Sequence, residues 1–138
     1  MPTGERIANY LQAVVSSASE LVNAQNQGDL FGGHTPDRFS FNYDPDNQVV
    51  DVDVVGGLET YADARKMLEL TQKLVFSLNR KIEKYYGVTL TTDNLTMVYF
   101  NAKTGSSVAK YEKGQYIDKL KEQPYLTPTP MNLDSRNP

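Results

Sequence analysis

The chain has 138 residues, 39% hydrophobic and 22% charged, an ordinary balance for one globular domain with its own core. It contains no cysteine, which excludes disulfides, thiolate metal sites and cysteine nucleophiles. Its uninterrupted strongly apolar runs, such as Leu74-Val75-Phe76, are too short to cross a membrane. The opening residues lead into a helix pattern carrying Glu20, with no signal-peptide core. A cytoplasmic location is therefore expected.

The net charge of −3 hides an asymmetry. Residues 1–60 hold two bases, Arg6 and Arg38, against nine acids, a balance of −7. Residues 61–122 hold eleven bases and seven acids, a balance of +4. The two halves would attract each other, within a fold or between subunits.

Residues 5–26 read as an amphipathic helix, with Ile7, Leu11, Val14, Ala18 and Leu21 along one face and Tyr10, Val15 and Val22 widening it. Gly28 is a natural stop, and residues 28–37 form a glycine-rich loop around His34. Alternation follows. Phe39, Phe41 and Tyr43 share one side of a strand, Asp44-Pro45-Asp46-Asn47 supplies turn chemistry, and Val50, Val52 and Val54 face one side of a second strand with Asp51 and Asp53 opposite. Thr60 with Asp63 marks a helix start. That helix is expected to continue to about Tyr86 and stop at Gly87, burying Met67, Leu70, Leu74, Leu78, Ile82 and Tyr85. Lys66, Lys73, Arg80 and Lys84 form a basic stripe on another side, interrupted by Glu69 and Glu83.

A second hairpin runs from Leu95 to Phe100, turns through residues 101–105 and returns from Ser107 to Tyr111. A short helix is expected over 115–121. Residues 123–138 hold four of the seven prolines and read as an extended tail. The fold class is thus α+β: helix, hairpin, helix, hairpin, with a four-stranded antiparallel sheet and two long helices on one face. One domain is expected over 1–122, with pattern-equivalent halves 5–58 and 60–121.

Chemistry-bearing motifs are scarce. His34 is the single histidine and lacks the partners a triad or metal site needs. The glycines at 28, 32 and 33 precede no Lys-Ser/Thr pair and open no helix after a strand, as a phosphate loop would. A calcium loop counted from Asp44 would place Val49 and Val55 where glycine and glutamate are required. No cofactor or metal is expected. Asp51 and Asp53, close together on one strand face, and His34 are the weak ligand-site candidates. The basic helix, with Lys103, Lys110, Lys113, Lys119 and Lys121 to face phosphates and Tyr85, Tyr86, Tyr99, Phe100 and Tyr111 as stacking groups, could meet nucleic acid, but the acidic first half disfavours a polyanion.

The segment Leu95-Thr96-Met97-Val98-Tyr99-Phe100 is apolar on both strand faces. Leu95, Met97 and Tyr99 would meet the helices, leaving Val98 and Phe100 for another contact. The expected function is a non-enzymatic, self-associating interaction module: an adaptor, chaperone or assembly subunit. Its interface candidates are Val98 and Phe100, with Lys66, Lys73 and Arg80 as the other surface. A small-ligand protein or enzyme using the loop around His34 is the alternative, and nucleic-acid binding through the basic helix a further one.

Overall fold

A computed structural model describes residues 2–24 and 36–121, with side chains for 2–17 and throughout the second stretch. The elements are α1 (Thr3–Ala24), β1 (Arg38–Asp44), β2 (Val49–Gly56), α2 (Tyr61–Ser77), α3 (Asn79–Tyr86), β3 (Leu95–Asn101), β4 (Ser107–Glu112) and β5 (Gln115–Asp118). The strands form one five-stranded sheet in the order β1-β2-β3-β4-β5. The class is α+β, with three differences from the architecture expected of the sequence.

First, the sheet is mixed. The hairpins β1–β2 and β3–β4 are antiparallel, but β2 and β3 pair in parallel, Val50 beside Leu95 and Val54 beside Tyr99. The connection from β2 to β3 carries two helices, which return the chain to the end of the sheet where β2 began, so β3 starts in the same direction.

Second, the long second helix is broken. Leu78, at φ −89° and ψ 0°, separates α2 from α3. Ser77 and Asn79, both weak helix formers, flank it. The Asn79 carboxamide bonds instead to the backbone of Leu90, donating to its carbonyl at 3.0 Å and accepting from its N–H at 2.9 Å. This ties α3 to the loop that leads into β3.

Third, residues 115–118 are a strand and not a helix. Lys113 (φ 50°) and Gly114 (φ 80°) are consecutive left-handed residues, the two-residue primed turn that matches strand twist. It sets Glu112 opposite Gln115 and folds β5 back along β4.

The buried face of the sheet is built in rows. Phe39, Val54, Tyr99 and Ala109 form one, and Phe41, Val52, Met97 and Tyr111 the next. The helices cover this face, α1 over β1 and β2, and α2 over β3 and β4. The first helix contributes Ile7, Ala8, Leu11 and Val15 to the core. The second contributes Ala64, Met67, Leu68, Thr71 and Val75, a stripe rotated from the expected one. Leu70, Leu74 and Leu78 are only partly buried, and Tyr85 is 56% exposed. A threonine is tolerated in the core because its hydroxyl donates to the Met67 carbonyl at 2.9 Å. Thr60 caps α2, accepting from the Asp63 N–H at 3.2 Å.

Candidate interaction face

Alternation sends every second side chain of each strand away from the helices. On that open face Arg38 pairs with Val55 and Val55 with Phe100. The next row is Ser40, Asp53, Val98, Lys110 and Ile117, and the next Asn42, Asp51, Thr96, Glu112 and Gln115. No described element lies over these rows. Val55, Val98, Phe100 and Ile117 are half-buried by their neighbours in the sheet.

The structure therefore brings together four of the residues picked from the sequence: Asp51, Asp53, Val98 and Phe100. The parallel pairing is what does it, since it sets Asp53 directly beside Val98 and Asp51 beside Thr96. Lys66, Lys73 and Arg80 do not join them. They are exposed on α2 and α3, on the side of the helix layer away from the sheet. Two of the proposed stacking groups, Tyr99 and Tyr111, are each 1% exposed and belong to the core. His34 and residues 123–138 lie outside the described residues.

The electrostatics of the open face are net acidic. Asp44, Asp51, Asp53 and Glu112 stand against Arg38 and Lys110. Lys110 pairs with Glu112, Nζ to Oε2 at 3.5 Å. Burial in the surrounding side chains pushes the Asp51 carboxyl above its usual range, and the nearby Asp44, Asp53 and Glu112 push it the same way, while Lys110 pulls it back. Burial likewise raises Asp53, with Arg38 opposing. Asp44, at the hairpin tip, goes the other way: the Asn47 side chain and the backbone N–H groups of Asn47 and Asp46 hold it below the ordinary carboxylate value.

Asn101 fixes one end of the face. It is 5% exposed, and its carboxamide donates to the Leu58 carbonyl at 3.2 Å and accepts from the N–H groups of Lys103 and Thr104, each at 3.0 Å. The same end is closed by backbone bonds from Asp37 to Val55 and from Ala102 to Gly56, both 2.8 Å. A shallow cleft of about 720 Å³ opens there, lined by Asp37, Arg38, Asp53, Val55, Phe100 and Asn101 among others. Gly56 makes room at this point for the Tyr99 hydroxyl, with which a Cβ would collide unless that ring shifted.

Val55, Arg38 and Ile117 are not among the site residues read from the sequence, and Lys110 is read there only as a phosphate-facing lysine. Val55 was within reach, since the alternation that turns Val50, Val52 and Val54 inward turns Val49 and Val55 outward. Ile117 needed β5, which the expected helix concealed. No helix among the described residues is long and apolar enough to cross a membrane. No protein-family model, curated protein or solved structure matches this chain.

Proposed function

We propose that this chain is a non-enzymatic protein-interaction module, an adaptor, chaperone or assembly subunit, that associates with further copies of itself through the open face of its sheet. One observation carries the reading: Val55, Val98, Phe100 and Ile117 occupy two adjacent rows of a sheet face over which no described element packs. Burying a fully exposed side chain of this size is worth roughly 1.5–3 kcal/mol, and covering the area these half-buried ones still expose would contribute a part of that each. Val55, Phe100 and Val98 are neighbours, with Ile117 beyond Lys110, and an apolar patch amid polar and charged side chains is the usual make-up of a contact surface. Light scattering over a range of concentrations tests this. The chain should gain mass with concentration, and Val98→Thr with Phe100→Thr should abolish the gain while leaving the circular-dichroism spectrum unchanged. Threonine keeps strand propensity while removing the patch.

A small-ligand reading draws on the cleft beside Asp53, where two carboxylates and Arg38 surround the apolar floor of Val55 and Phe100. A molecule with a cationic group and an apolar body suits that lining. Thermal shift with small aromatic amines tests it, since a ligand that binds only the folded chain raises the midpoint.

A further inference from the structure

The two sides of the molecule differ in charge in a way that bears on how copies would meet. The open sheet face carries Asp44, Asp51, Asp53 and Glu112 against Arg38 and Lys110. The outer surface of α2 carries Lys66 and Lys73, seven residues apart and so on one line along the helix. Arg80 follows at the same interval on α3. All three are exposed and form no ion pair with any described residue. Arg65, by contrast, is engaged: it pairs with Glu69 at 3.4 Å and lies over the Tyr116 ring.

A two-fold contact would press the open face against its own copy, and so a net-acidic surface against an identical one. Asp51 already sits among Asp44, Asp53 and Glu112, and a second set of carboxylates would add to that repulsion. A heterologous contact avoids this. It sets the acidic, apolar sheet face of one copy on the lysine-bearing helix face of the next, where the methylene stems of Lys66 and Lys73 can cover Val98 and Phe100 while their ammonium groups reach Asp51 and Asp53.

Resting on the self-association reading above, we propose that copies of this chain join head to tail, the open sheet face of one receiving the Lys66–Lys73 face of α2 from its neighbour. Such contacts close into a ring or continue as a filament, according to the rotation between successive copies.

The test mixes two variants of the full chain. Val98→Thr with Phe100→Thr removes the sheet side of the contact. Lys66→Glu with Lys73→Glu reverses the helix side at exposed positions. Asp51→Lys with Asp53→Lys serves as a second sheet-side variant should the threonine pair fail to fold by circular dichroism. Each variant alone is expected to associate at least about tenfold more weakly than the parent chain, given the cost of juxtaposing like charges or losing the patch. An equimolar mixture is expected to form a one-to-one complex that stops at two copies when the threonine pair is used, because only one intact contact remains. Added salt should weaken the parent's association. Three results would overturn the proposal. If the lysine variant associates as well as the parent while the sheet variant does not, the contact is two-fold and the self-association reading stands alone. If neither variant changes the association, the interface lies elsewhere and both fail. If the parent chain stays monomeric throughout, both fail as well.

Discussion

The carboxamide of Gln12 stands beside Phe41 where the peptide group of a further strand would stand. Its Oε1 accepts from the Phe41 N–H at 2.7 Å, and its Nε2 donates to the Phe39 carbonyl at 2.9 Å. Strand β1 is an edge of the sheet, and this side chain satisfies two of the backbone groups that an edge leaves open. Gln12→Ala is expected to cost about 1–3 kcal/mol in a denaturant titration, the usual range for orphaning buried backbone groups. It should also raise light scattering on heating, because the bared edge can pair with another chain.

Asn101, the last residue of β3, holds the β3–β4 turn and the Leu58 carbonyl together. Asn101→Ala is expected to destabilise by about 1–3 kcal/mol. Amide exchange should quicken first at Lys103 and Thr104, whose N–H groups lose their acceptor.

Leu68 and Leu74 separate the true core face of α2 from the expected one. Leu68 is fully buried and Leu74 only partly so. Leu68→Ala should therefore cost roughly 2–5 kcal/mol, and Leu74→Ala clearly less. Equal losses in urea titrations would mean that the stripe read from the sequence is the one that packs.

Asp51 and Asp53 give a pH signature. Their folded-state pKa values lie above the ordinary 3.8, chiefly through burial. Between the unfolded and folded values the folded chain binds protons that the unfolded chain does not. Stability from these groups therefore rises as pH falls through that window, and at neutral pH their ionised forms oppose folding. Asp44 has the opposite sign, contributing stability that is lost as pH falls. Asp53→Asn should raise the melting temperature at pH 7, and the gap from the parent chain should close as pH falls toward 4. A gap that widens on acidification would mean that Asp53 is stabilised as a carboxylate.

Much of this was legible in period-2 alternation. Phe39-Phe41-Tyr43, Val50-Val52-Val54 and Leu95-Met97-Tyr99 lie on the helix side, with Asp51, Asp53, Val98 and Phe100 on the other. What alternation cannot supply is which strand sits beside which. Placing Asp53 next to Val98 required the parallel β2–β3 pairing, a consequence of the helical connection between them. The core stripe of α2 was displaced because Leu70, Leu74 and Leu78 outweigh Ala64 and Thr71 in hydrophobicity, although the latter pack at the sheet. Strand β5 was missed because Lys113 does not announce a left-handed turn residue, although Gly114 after it does suit one.

The absence of cysteine allows the most direct test of the open face. Val98→Cys places one thiol at its centre, and Glu5→Cys places a control thiol at an exposed position on α1. Maleimide labelling of the Val98→Cys chain should slow progressively as protein concentration rises, while labelling of the Glu5→Cys chain keeps a constant rate. Concentration-independent labelling at position 98, in a chain that light scattering shows to be associating, would contradict the account, because the copies would then be meeting on some other surface.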